Sequence, residues 1–223
     1  MANHLNIHTL RVFVNQVGKF GNSVGIIQDE GKKIVLNDRQ RIATDLGYSE
    51  SVFINDVSVG SVSIFNPRSE VPFAGHAMVG AAWFMNKTGD KPIDSLVCEG
   101  GTIKTWMDDG KTWIRAALTT LPAWKYVQRK NPIEVERLSE SETKTIKHSL
   151  IWAWIDEHRG LIRARTFAPD WGIPEDEANG SGSMRLAAIL GRTIEIFHGK
   201  GSIIYAKPLQ SDFADLGGRV IED

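Results

Sequence analysis

The sequence predicts a mixed α/β (α+β) fold of two pseudo-symmetric lobes, each several strands wrapped around one central, buried helix. Three observations carry this reading. An eight-residue frame, F-x-P-x-x-x-[V/I]-P, occurs at residues 65–72 and again at residues 167–174. Each copy is followed by a glycine with a small or polar residue, Gly75-His76 and Gly180-Ser181, and then by an apolar run, residues 77–85 and 184–190. The first run is apolar on nearly every face. A surface helix shows one stripe, so this one is expected to be enclosed, as by a curled sheet, and its repeat likewise. A repeat of whole supersecondary units implies two similar halves, with any site used by both lying between them.

The elements follow in order. Residues 9–14 read as a strand, followed by a glycine-rich turn at 18–22 and a second strand at 24–28. Asn37, with Gln40 three residues on, suggests a capping box for a helix whose apolar stripe is Ile42, Ala43 and Leu46. Gly47 ends it as a left-handed residue. Residues 52–54 and 61–65 read as strands, the latter alternating with period two. After the first enclosed helix come strands at 96–98, 102–107 and 112–117, the last two joined by a hairpin turn at Asp108-Asp109-Gly110. Residues 119–141, with Pro122, Pro132 and many charges, are expected to cross between lobes, so residues 1–118 form the N-terminal lobe and 119–223 the C-terminal lobe. A hairpin through Glu157-His158-Arg159-Gly160 joins residues 150–155 to 161–167. The second enclosed helix follows, then strands at 193–197 and 202–206 and a last one near Val220.

Composition narrows the function classes. At 223 residues and 42% hydrophobic, the chain can build genuine cores in one large or two small units. A net charge of −1 offers no electrostatic footprint for nucleic acid or an acidic membrane. Residues 1–8 are polar, without the charged start and apolar core of a signal peptide. No apolar run approaches the roughly 20 residues a membrane span needs. A soluble cytoplasmic protein is expected. The single cysteine, Cys98, excludes an intrachain disulfide and any CxxC metal site, and is read as buried packing.

Several residues have the chemistry for a site. Glu50, in Ser49-Glu50-Ser51, is either a solvated turn residue or a partly desolvated carboxylate with a raised pKa, able to take and return a proton. Gly75-His76 and Gly180-Ser181 open the two enclosed helices. Free N–H groups and the helix dipole suit such starts to anions, and two of them facing across a cleft would clamp a carboxylate. His76 and Ser181 also have plain readings, as a cap or surface histidine and as an N-cap residue. Glu175, Asp176 and Glu177 are either a solvated acidic loop or, folded into a cleft, crowded carboxylates of which at least one has a raised pKa. Among seven tryptophans, Trp106, Trp113, Trp152 and Trp154 read as core, and Trp171, inside the second frame, as the one placed to touch a ligand. His198 and Lys200 read as surface residues.

Taken together, certain stretches resemble the PhzF-like phenazine-biosynthesis family, within the diaminopimelate epimerase fold. They are Gly21-Asn22, Arg41-Ile42-Ala43, residues 49–53, residues 70–76, residues 174–181 and Gly217-Gly218. The resemblance implies two lobes, each a barrel-like, mostly antiparallel sheet around a central helix. It also implies a homodimer, and neither a metal nor an organic cofactor. It gives Glu50 the role of moving a proton between carbons of the substrate, with His76 and Asp176 assisting proton handling. Gly180 and Ser181, and Gly75 on the opposite side, fall where the family binds its substrate carboxylate.

Five departures stand out. Ala77 and Ser23 replace prolines, Asn179 replaces a threonine, Arg11-Val12-Phe13 replaces an aspartate-containing start, and the second lobe is abbreviated. Pocket walls differ most easily there, which argues against the phenazine precursor itself. Racemases of this fold that use two thiols are excluded by the single Cys98. The expected function is therefore isomerisation of a small carboxylated metabolite by proton shift. A non-catalytic binding protein, or a lyase or hydrolase acting on an unsaturated acid, are the alternatives.

Overall fold

The computed structural model describes residues 6–210 and 212–223; residues 1–5, part of the polar start read above, lie outside the described residues. The N-terminal half runs β1 (Ile7–Val14), β2 (Asn22–Gln28), α1 (Leu36–Leu46), β3 (Glu50–Asp56), β4 (Ser61–Phe65), β5 (Glu70–Val71), α2 (Gly75–Thr88), β6 (Ser95–Cys98), β7 (Gly101–Asp108) and β8 (Lys111–Ala117). The remainder runs β9 (Lys125–Gln128), α3 (Pro132–Glu136), α4 (Glu140–Thr145), β10 (Ser149–Asp156), β11 (Leu161–Ala168), β12 (Ile173–Asp176), α5 (Gly180–Leu190), β13 (Ile194–His198), β14 (Ser202–Pro208) and β15 (Phe213–Glu222).

The duplication extends to strand pairing. β2 and β3 pair in parallel around α1, and β9 and β10 pair in parallel around α3 and α4. The hairpin β3–β4 matches the hairpin β10–β11. The short strands β5 and β12, each from a copy of the repeated frame, pair antiparallel with β4 and β11. β4 reaches β6 in parallel across α2, and β11 reaches β13 in parallel across α5.

The two sheets share one seam. β15 pairs with β8 and β1 on one side and with β14 on the other. The ring β1-β2-β3-β4-β6-β7-β8-β15 is thereby closed into an eight-stranded barrel. Along β8, Thr112, Ile114 and Ala116 point inward in strict alternation. α2 fills the barrel, and its residues 75–82 are all buried. The all-round apolar run is what such an enclosure demands. Gly80 lets the helix approach the wall, since a Cβ there would meet Val24 Cγ1 at 2.9 Å and Val12 Cγ2 at 3.1 Å.

The second sheet, β15-β14-β13-β11-β10-β9, ends at β9 among the described residues. α5 packs on β14 and β15, and Ile189 on its outer side is 64% exposed. Six of its eleven residues are buried and Ile189 alone is exposed, so the second helix is enclosed except near its C-terminal end.

Other expectations need correction. α1 has no side-chain cap, because the chain before it is held by Asp29, whose carboxylate accepts the Lys33 and Ile34 N–H groups at 2.9 and 3.1 Å. Gln40 instead donates to the Asn66 carbonyl at 3.0 Å. The crossover holds a strand and two short helices. Trp106 and Trp113 stack with planes 4° apart on the outer side of the barrel, half-buried, while Trp152 is core. Cys98 is half-buried. No helix among the described residues is long and apolar enough to cross a membrane.

Candidate active site

Glu50 is the first residue of β3, and the five residues after it are buried. Its carboxylate therefore stands at the end of the sheet, where Gly47, left-handed at φ 66°, has just ended α1. α2 begins at Gly75 after Ala74, whose side chain cannot cap, so its first N–H groups lack a side-chain partner. His76 is only 8% exposed, and its Nε2 lies 3.1 Å from Glu50 Oε2 and 3.3 Å from Ser49 Oγ.

Burial disfavours charge on both groups, but their proximity outweighs it. Glu50 is lowered chiefly by the charge of His76 beside it, its buried Oε2 making an ion-pair contact but no well-aligned hydrogen bond. His76 is raised by Glu50 and, less, by Asp176. Both directions favour a carboxylate–imidazolium pair. The raised pKa expected for Glu50 is thus replaced by a lowered one, because the sequence does not show that its neighbour is an imidazole.

The acidic run is divided by its partners. Glu175 forms a two-pronged pair with Arg165, at 2.7 and 2.8 Å. Glu177 accepts from Ser202 Oγ at 2.7 Å and from the Lys200 N–H at 2.8 Å. Asp176 turns to the N-terminal lobe. Its Oδ1 accepts from Asn22 Nδ2 at 2.8 Å and the Ala178 N–H at 3.1 Å, and its Oδ2 from Asn179 Nδ2 at 3.1 Å. The three carboxylates are separately bonded, so the expected crowding does not arise.

Asn179, not Ser181, caps α5 by accepting from the Gly182 N–H. Ser181 Oγ instead accepts the Trp124 indole N–H at 3.0 Å. The two helix starts abut across Leu216: a Cβ on either Gly75 or Gly180 would meet Leu216 Cδ2 at 2.8 Å, and one on Gly75 would lie 3.8 Å from Gly180 Cα.

Glu50, His76, Asp176, Gly75, Gly180 and Ser181 all border one cleft of about 500 Å3, together with Trp171, Trp124 and Asn22. Among the described residues, no group of three or more His, Cys, Asp or Glu side chains is placed to hold a metal ion.

Three contributors were not read from the sequence. Asn22 was visible as part of a glycine-rich turn and of the Gly21-Asn22 stretch that resembles the family, with no role assigned, and Trp124 as a residue of the crossover. His198, expected at the surface, is fully buried behind the acidic strand. Its Nδ1 lies 2.9 Å from the Glu177 carbonyl and its Nε2 2.9 Å from Thr166 Oγ1, and burial pushes its pKa down.

The sequence profile described as Phenazine biosynthesis-like protein matches residues 10–155. The chain belongs to this family. Trans-2,3-dihydro-3-hydroxyanthranilate isomerase of Pseudomonas aeruginosa is 28% identical over 198 residues, covering 72% of this chain and 71% of the relative. The Pseudomonas fluorescens protein of the same description is 26% identical, covering 84% of each. A solved PhzF family protein from Enterococcus faecalis superposes with a TM-score of 0.79 at 15% identity, over 98% of this chain and 96% of its own, and shows the same fold. Like the relatives named for that activity, the chain is an isomerase.

Proposed function

We propose that the chain shifts a proton between two carbons of a small carboxylated metabolite, without a cofactor, using Glu50 as acid and base. The observation that carries this reading is the Glu50–His76 pair, 3.1 Å apart at the cleft, with Asp176 bordering the same space. Glu50 in its carboxylate form can take a proton from an activated carbon. The charge left behind spreads toward the substrate carboxylate, where the starts of α2 and α5 offer N–H groups and the positive ends of two helix dipoles. Glu50 then returns the proton to a second carbon within its reach, so no atoms are gained or lost. His76 and Asp176 hold polar groups of the substrate and relay charge.

The probes are small unsaturated carboxylic acids, with trans-2,3-dihydro-3-hydroxyanthranilate, the acid named in the Pseudomonas relatives, as the reference member. Turnover, followed by NMR, should remove one substrate C–H signal and create another at a second carbon with no change of mass. Glu50→Gln keeps size and hydrogen bonding but cannot accept the proton. It should lower the rate by about 10⁴-fold, the upper end for a general base, with binding retained. Turnover at near wild-type rate in Glu50→Gln would move the base elsewhere, first to Asp176. Binding of these acids without turnover of any, or a product of altered mass, would replace isomerisation by a binding role or by lyase or hydrolase chemistry.

A further inference from the structure

One wall of the cleft has no counterpart in the repeat. At the fifth position of the shared frame the N-terminal lobe has Ser69, and the C-terminal lobe has Trp171. Trp171 closes the 3-10 turn Pro169–Trp171, borders the cleft and is 40% exposed.

Its neighbours hold it in place. His148 stacks on its ring, centroids 4.8 Å apart and planes 6° apart. Asp170 secures that imidazole, with Oδ2 2.8 Å from Nδ1 and Oδ1 accepting the His148 N–H at 3.0 Å. Trp124 meets Trp171 edge to face, at 5.0 Å and 61°, and its own N–H is spent on Ser181. A continuous run of rings thus connects His148 to the start of α5. An indole left partly wet in a concave site, with its rotamer already fixed, binds at little further entropic cost. Against a flat π-system it gains a stacking increment beyond the area buried, which a saturated ring of similar size does not gain.

We propose that Trp171, seated by Trp124 and His148, is the specificity-determining residue of this cleft. Among small carboxylates held at the helix starts, it selects those whose carboxyl group adjoins a flat, conjugated face. This rests on the reading of the two helix starts as the carboxylate site.

Benzoate and cyclohexanecarboxylate, equal in charge and close in size, are the probes. Affinities come from NMR titration, with the Gly75 and Gly180 amide shifts placing each probe. The wild-type protein should bind benzoate about tenfold more tightly, equivalent to about 1.4 kcal/mol, with benzoate ring protons shifted upfield. Trp171→Ala should bring the ratio close to one and leave cyclohexanecarboxylate nearly unchanged, and Trp171→Phe should keep most of the preference. Equal affinities in the wild type, or an unchanged preference in a natively folded Trp171→Ala protein, overturn the role of Trp171 alone. If neither acid shifts the Gly75 and Gly180 amides, the carboxylate site itself is lost, and the role of Trp171 with it.

Discussion

At Glu50 and His76, two buried groups keep charges that burial opposes, because each is the other's partner at 3.1 Å. That arrangement has a signature in pH. The folded pKa of Glu50 lies below its ordinary 4.5, so its contribution to stability is complete above 4.5 and is lost as pH falls through the folded value. The folded pKa of His76 lies above its ordinary 6.5, so its contribution is complete below 6.5 and is lost as pH rises through the folded value. The pair contributes most between 4.5 and 6.5. The difference in Tm between wild type and a Glu50→Gln/His76→Asn double variant should therefore peak in that window. A difference that stays flat from acid to alkaline pH would contradict the pair. Asn22 carries a second test, because its amide is the N-terminal lobe's hold on Asp176. Hydrogen bonds to charged groups contribute about 1.5–3 kcal/mol, so Asn22→Ala should lower kcat by about ten- to a hundredfold. Asn22→Asp, which would set two carboxyl groups 2.8 Å apart, should lower it further. A wild-type rate in both variants would show that Asp176 needs no such hold.

Among the elements, α2 shows most directly how enclosure constrains sequence. Gly80 faces Val12 and Val24 of the surrounding strands with no room for a methyl group, so Gly80→Ala should cost about 1–3 kcal/mol by overpacking, read from urea unfolding. A neutral result would mean that the barrel wall gives way more readily than its closed pairing suggests. The same enclosure is why α2 was legible: a helix covered on all sides must be apolar on all sides. α5 carries a similar run between β14 and β15 on one side and the crossover on the other, and opens to solvent only at Ile189. The hairpin at Asp109-Gly110 was legible because both residues take positive φ, a demand that local sequence states openly. β9 was not, since a four-residue strand exists only through its pairing with β10. The site divides in the same way. Glu50, His76 and Asp176 stood out through resemblance to family motifs rather than through periodicity or composition. Asn22 acts on a residue 154 positions away, and no local pattern announces such a partner. His198 looked like a surface residue because burial behind Glu177 is a tertiary fact.

The molecule as a whole is organised by its last strand. β15 closes the first barrel against β1 and β8 and gives the second sheet its first strand through β14. Leu216, fully buried on β15, lies between the starts of α2 and α5, so the strand that joins the lobes also packs against the two helix starts that border the cleft. Residues 1–118 can be named as a lobe from the repeat, but they do not contain the strand that closes their own barrel. Without residues 213–222, β1 and β8 would each present an unpaired edge, and α2 would lose one wall of its enclosure. The two halves should consequently unfold together. Far-UV circular dichroism, which reports both sheets, and tryptophan fluorescence, which reports Trp83, Trp106 and Trp113 in one half and Trp124, Trp152, Trp154 and Trp171 in the other, should give coincident urea transitions. A fragment of residues 1–118 should show no cooperative transition of its own. Two separated transitions in the full chain, or a fragment that melts cooperatively, would mean that each lobe is stable alone and that β15 merely docks on a finished barrel.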